Sequence, residues 1–201
     1  MTQKLLIATH NQGKLREYQA LLADLPLTVT SLALEGVTQD VEETGTTFAE
    51  NAILKATTYA QLTGLLTWAD DSGLEVDPLD GRPGVYSARY GGAGRSDQQR
   101  YEQVLAELAP LPKPWTARFR CVVALVSPTG QLMTAEDRVE GEITDKPRGA
   151  HGFGYDPIFF LPDHQSTMAE LAPAQKNLIS HRAKAAAHAR QLLVKLLNSQ
   201  D

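Results

Sequence analysis

An α/β fold built on a mixed, twisted central sheet flanked by helices is what the sequence predicts, on three observations. Strand-like apolar runs alternate with helical segments through the first half of the chain, the pattern that parallel strands joined by helices produce. Two longer strand-like runs then follow one another across Ser127-Pro128-Thr129-Gly130, a turn-forming sequence that points to a hairpin. The 201 residues, 42% of them apolar, supply a sizeable core without internal repeat or low-complexity linker. One bilobed domain over residues 1–201 is therefore expected.

In chain order, Leu5-Leu6-Ile7-Ala8 reads as a fully buried strand. A helix follows from Lys14, with Leu15, Tyr18, Leu21, Leu22 and Leu25 at helical spacing, and Thr9 to Gly13 form the turn before it. Residues 28–31 give a second strand. Residues 48–62 give a second helix with Phe48, Ala52, Ala56 and Tyr59 on its inner face. Residues 65–69 return as a strand that ends in Asp70-Asp71-Ser72-Gly73. Ser96-Asp97 starts a helix that runs to Leu108, because a serine cap followed by an acidic first turn is a helix-start signal. Pro110-Leu111-Pro112-Lys113-Pro114 cannot continue that helix and reads as a connector. Strands at about 117–126 and 131–140 come next, and Ser180 opens a last helix whose stripe is Ala185, Ala189, Leu192, Leu193, Leu196 and Leu197.

Composition removes several functional classes. With 21% charged residues the chain is near the globular average, and no apolar run approaches the length of a membrane span. Met1-Thr2-Gln3-Lys4 and the short apolar run behind it lack the long apolar region of a secretory signal, so a cytoplasmic location and no membrane partner are expected. The net charge of -5 disfavours broad electrostatic binding, so no nucleic-acid partner is expected. Cys121 is the single cysteine and excludes an intramolecular disulfide or a multi-cysteine metal centre. Its apolar strand-like surroundings predict a buried, inert thiol.

Five segments carry candidate chemistry. Thr9-His10-Asn11-Gln12-Gly13-Lys14 lies at a helix N-terminus, where free backbone N–H groups and the dipole favour phosphate. A lysine there is disfavoured by the dipole, which implies an anion beside Lys14; an ordinary solvated lysine is the competing reading. Glu42-Glu43 and Asp70-Asp71 offer carboxylates from two segments, a donor set suited to a hard divalent ion such as Mg²⁺. Adjacent strand residues face opposite ways, so of Asp70 and Asp71 one is expected to be catalytic and the other structural. Asn51 and Lys55 lie one helical turn apart, a spacing that is commonly only a solvated face. The loop from Gly149 to Pro157 lets backbone approach a ligand, and Phe153 can stack on a base or fill the core. Lys176 and Ser180-His181-Arg182 again put cations at a helix start, beside the apolar Leu178-Ile179.

In this order the segments resemble the inosine triphosphate pyrophosphatase family, above all its bacterial members. The likeness runs from Ala8-Thr9-His10-Asn11-Gln12-Gly13-Lys14 through Glu42-Glu43-Thr44-Gly45, Phe48 to Ala56 and Ala69-Asp70-Asp71-Ser72-Gly73-Leu74. It continues with Pro83 to Tyr90, Gly152 to Phe159 and Ser180-His181-Arg182. His10 and His151 depart from it, standing where glycine and a small residue are usual, and positive φ at His10 would bring modest strain.

The resemblance implies a homodimer of two-lobed α/β subunits that hold a purine nucleoside triphosphate in a cleft between the lobes. It implies hydrolysis of ITP, dITP and XTP to the monophosphate and pyrophosphate, which keeps these bases out of DNA and RNA. Thr9 to Lys14 would bind triphosphate, Asp71 would accept the proton from water, and Lys14 and Lys55 would meet the phosphates. Glu42 or Glu43 would join Asp71 around Mg²⁺. Asn51, Ser72, Phe153, Gly154, Tyr155, Asp156, Lys176, His181 and Arg182 would complete the substrate site. Donors from His181-Arg182 facing O6 would leave adenine's amino group without an acceptor, so ATP would be rejected. A binding module without turnover and a hydrolase of other nucleotides are the competing functional classes.

Overall fold

The computed structural model describes residues 3–198. Residues 1–2 and 199–201 of the expected 1–201 domain lie outside the described residues. Seven strands form one sheet in the order β2-β1-β3-β4-β5-β6-β7. It is mixed, as expected, with β1 (Lys4–Ile7) parallel to both β2 (Thr28–Ser31) and β3 (Leu66–Val76). At the other end β6 (Phe159–Leu161) is antiparallel to β5 (Leu132–Ile143) and to β7 (Ser166–Thr167). Within the described residues the chain divides into two compact units, one of residues 3–71, 121–137 and 182–198 and the other of residues 72–120 and 138–181.

The first unit holds β1, α1 (Gln12–Leu21), β2, α2 (Phe48–Thr63), the start of β3 and most of α5 (His181–Asn198). Helix α1 begins earlier than expected, because the Asn11 side chain accepts from Lys14 N (3.0 Å) and caps it, which places Gln12 and Gly13 inside the first turn. Leu25 falls beyond its end. Helix α2 matches its expected span to one residue and is fixed by a reciprocal capping box of Thr47 and Glu50. Phe48, Ala52, Ala56 and Tyr59 are buried as the spacing predicts. Leu5, Ile7, Leu15, Tyr18, Trp68, Ala185, Ala189 and Leu193 belong to this unit's core.

The second unit is built on α3 (Asp97–Leu108), the outer halves of β3, β4 (Thr116–Val126) and β5, the short strands β6 and β7, and α4 (Pro173–Ile179). Ser96 caps α3 through Gln99 N (3.2 Å), as its sequence predicts. Val104, Leu108, Phe119, Ile158, Phe159 and Met168 belong to its core.

The expected end of the third strand is corrected. Asp70-Asp71-Ser72-Gly73 lies inside an eleven-residue strand that continues to Val76. Consecutive polar residues mark a strand end only when water must solvate them, whereas here Asp70 and Asp71 are buried and paired with Lys14 and Arg182 and with Lys55 and Asn51 respectively. Strands β6 and β7 and helix α4 were not expected, since three, two and seven residues are too short to show periodicity.

Cys121 is buried in β4, and burial raises its thiol pKa to about 12, with Asp70 adding to the shift. A thiolate-dependent reagent such as Ellman's should therefore label the native protein very slowly and the denatured protein at once. Rapid stoichiometric labelling of the native protein would contradict this burial.

Candidate functional site

Strand β3 positions the chemistry of the first unit by sending its two aspartates to opposite sides. Asp70 Oδ2 meets Lys14 Nζ at 2.9 Å, Arg182 Nη2 at 3.6 Å and the Cys121 thiol at 3.7 Å. Asp71 instead faces α2, where Lys55 Nζ lies 3.3 Å from its Oδ1 and Asn51 Nδ2 donates to its Oδ2 at 3.2 Å. Lys55 also donates to Glu43 Oε1 at 2.5 Å, so Glu43 and Asp71 converge on one ammonium. Asn51 and Lys55 are four positions apart, and the helix pitch aims both at the same carboxylate.

The two aspartates differ electrostatically. Burial would raise Asp70's carboxyl, but Lys14, Arg182 and Lys55 together outweigh it and hold the group well below the usual carboxylate range. Burial raises Asp71 above its ordinary value; Lys55 and Lys14 oppose this, and Glu43 and Asp70 reinforce it. Burial would lower the Lys55 ammonium, but Asp71, Glu43 and Asp70 raise it on balance. Alternation thus gives the two carboxylates different surroundings: cations hold Asp70 charged at neutral pH, while burial raises the proton affinity of Asp71.

Between the two candidate glutamates the geometry separates partner from bystander. Glu43 shares Lys55 with Asp71, while Glu42 is exposed. Among the described residues no group of three or more His, Cys, Asp or Glu side chains is gathered to hold a metal, so Glu42, Glu43 and Asp71 do not form one cluster. The oxygen donors of Glu43 and Asp71 alone still suit a hard divalent cation that keeps several waters, as Mg²⁺ does.

Other expected contacts change. The anion beside Lys14 is the chain's own Asp70. Asn11 spends its side-chain oxygen on the α1 cap, and Thr9 Oγ1 accepts from Asn11 N at 3.1 Å. Asn51 is fully buried, neither a solvated face nor open to substrate. Positive φ among described non-glycine residues is confined to Asp80 and Gln165, so the strain considered for His10 is absent; its Nε2 lies 3.4 Å from the Tyr59 hydroxyl. Arg182 is only 2% exposed and its guanidinium is taken by Glu17 Oε2 at 2.6 Å and by Asp70, over the Tyr18 ring. That placement gives the Arg182 guanidinium two carboxylate partners within the chain. Glu17 carried no signal that could have paired it with a residue so distant in sequence.

In the second unit Asp156 and Lys176 are both buried and form an ion pair at 2.6 Å. Asp156 Oδ2 also accepts from Phe153 N at 2.9 Å, and the Lys176 ammonium sits 4.8 Å from the Phe153 ring centroid. The next amide, Gly154 N, donates to Asp97 Oδ2 at 2.6 Å. Gly152 adopts φ +78, and a Cβ there would come within 2.0 Å of Asp156 Oδ2, so the loop requires glycine at that position. Tyr155 is buried and its hydroxyl donates to Ser87 O at 2.8 Å. Tyr155 and Asp156 therefore shape the loop from beneath, while Phe153 and Gly154 are partly exposed and His151 is exposed. His181 is buried and stacked on Phe119 at 4.7 Å. Ser72 is partly exposed on β3. Asp97 and Ser87 were missed, because an acidic helix start and a lone serine look structural in sequence.

A family description, Ham1 family, matches residues 5–192. The chain belongs to the Ham1 family. It is 52% identical over 181 residues to a dITP/XTP pyrophosphatase of Bacillus subtilis (strain 168), covering 90% of this chain and 91% of that one. A Geobacter sulfurreducens protein of the same name is 51% identical over 185 residues, covering 92% and 93%. Among solved structures, a HAM1 protein from Coxiella burnetii superposes with a TM-score of 0.88 at 43% identity, covering 96% of this chain and all of that one. These matches support the family resemblance and the α/β architecture expected from sequence. No helix among the described residues is long and apolar enough to cross a membrane.

Proposed function

We propose that this protein hydrolyses deaminated purine nucleoside triphosphates, ITP, dITP and XTP, to the monophosphate and pyrophosphate, and so keeps such bases out of DNA and RNA. One observation carries the reading: a buried carboxylate of raised proton affinity, Asp71, shares the Lys55 ammonium with Glu43, in a chain half identical to proteins named dITP/XTP pyrophosphatase. A binder without turnover has no use for a proton acceptor placed where anionic phosphates go.

In the proposed reaction water attacks the α-phosphorus, pyrophosphate leaves, and Asp71 takes the proton that water loses. Lys14 and Lys55 neutralise charge on the triphosphate, and the backbone amides at the start of α1 add their dipoles. Glu43 and Asp71 would hold Mg²⁺, which when bound neutralises developing negative charge. Asp70 and Arg182 keep Lys14 in place from the opposite side of β3.

The base falls to the Phe153 loop, whose ring would stack on it and whose backbone would read its edge, with Asp156, Lys176 and Asp97 holding the loop. Phe153→Ala should cost about 1–3 kcal/mol in kcat/KM, the scale of base–aromatic stacking, and should cost it alike for ITP, XTP and GTP. A loss confined to one purine would contradict stacking. A homodimer in the cytoplasm, each chain a single bilobed domain, completes the proposal. The deciding experiment is pyrophosphate release from a panel of nucleoside triphosphates with Mg²⁺. Turnover of ITP, dITP and XTP far above ATP and pyrimidine nucleotides is expected, and a flat profile or none would overturn it.

A further inference from the structure

We propose that Asn51 is a positioning residue, a two-ended latch that ties the loop carrying Glu43 to Asp71 and sets the relation of the two carboxylates. This rests on the function proposed above. The Asn51 side chain is 0% exposed, and each end has a different partner. Its Oδ1 accepts from Gly45 N at 2.8 Å, and its Nδ2 donates to Asp71 Oδ2 at 3.2 Å. The backbone N–H of Gly45 can only donate, so it fixes which end of the amide is oxygen. The remaining NH₂ must then point at Asp71, which as a carboxylate can only accept.

Residue 45 belongs to this device. A Cβ on Gly45 would come within 2.6 Å of Asn51 Oδ1 and 2.7 Å of the Glu50 Cβ, so any larger residue pushes the loop off the latch. Two residues earlier in the loop, Glu43 is anchored by Lys55, which also holds Asp71 Oδ1. Asp71 is thereby gripped at both oxygens by residues one turn apart on α2; Glu43 is tied to one of them, Lys55, and its loop is tied to the other, Asn51, through Gly45. The Thr47–Glu50 capping box, with Glu50 Oε2 accepting from Thr46 N at 2.7 Å, keeps the segment rigid where the loop enters the helix. Rotation of Asp71 is blocked while Asn51 is in place, and a freely turning carboxylate would hold neither the water nor a cation in one geometry.

The test compares wild type, Asn51→Ala, and Gly45→Ala, which retains every titratable and amide side chain. Three quantities are read: kcat and KM for ITP with saturating Mg²⁺, the affinity of the nucleotide-free protein for Mn²⁺ by titration, and Tm. Both variants should lose about 10–100-fold in kcat with KM for ITP within about threefold, and Mn²⁺ affinity should weaken by about 10-fold or more. Folded variants whose kcat and Mn²⁺ affinity both match wild type would overturn the latch, as would a loss seen in KM alone. Should Asn51→Ala fail to fold, Gly45→Ala decides. If wild type releases no pyrophosphate from any nucleotide, the proposed function falls. The Mn²⁺ titration then still decides whether Asn51 organises Glu43 and Asp71.

Discussion

Asp71→Asn is expected to lower kcat by about 10²–10⁴-fold, the range that a positioned proton acceptor contributes, while far-UV circular dichroism and Tm stay near those of wild type. The substitution is nearly isosteric, and the neighbours that would feel a change of shape, Asn51 and Lys55, keep other partners in Gly45 and Glu43. It removes the charge that makes the group a base, together with one of the two hard oxygen donors beside Lys55. The carboxyl starts from a value raised chiefly by burial and only partly restored by Lys55 and Lys14. Protonation as the pH falls should therefore inactivate the wild type at a pH above the ordinary aspartate value, and an acid limb at that position should be missing from the residual activity of the variant. A kcat within threefold of wild type would remove Asp71 from the reaction.

Much of this was legible in the order of motifs, and the reason is local. The inner face of α2 follows from the spacing of Phe48, Ala52, Ala56 and Tyr59, and the alternation of Asp70 and Asp71 follows from strand geometry alone. What stayed illegible is long-range pairing. Glu17 and Arg182 are 165 residues apart, and Gly154 and Asp97 57 apart, so only the tertiary register shows that each pair meets. Burial was also illegible. Polar residues such as Asn51, Asp156, Lys176 and Arg182 are ordinarily exposed, yet each is at most 3% exposed and has a polar partner within its own unit. The cations at the starts of α1 and α5 have anionic partners that their own segments do not reveal, the chain's carboxylates Asp70 and Glu17.

Arg182 gives the sharpest consequence of that burial. Its guanidinium is buried against Glu17 and Asp70, so Arg182→Ala strands two carboxylates, one of them inside the sheet. Breaking a buried pair by removing one partner costs about 3–5 kcal/mol. For a chain of this size, at about 2–4 °C per kcal/mol, Tm should fall by about 6–20 °C. Asp70 is held low by Lys14 and Arg182, so its contribution to stability is present at neutral pH and is lost as the pH falls through the depressed value. The deficit of the variant should accordingly be full at pH 7 and shrink in acid. Arg182→Lys keeps one charge but not the fork that reaches both carboxylates, and should recover part of the loss. Activity should drop for every nucleotide together, because Lys14 loses the strut that places it, and the ratio of kcat/KM for ITP to that for ATP should stay within about threefold of wild type. Were Arg182 the reader of O6, that ratio would collapse while Tm hardly moved, since removing the donor that penalises adenine changes discrimination before it changes stability. Measuring both quantities on the same preparation separates a strut from a reader.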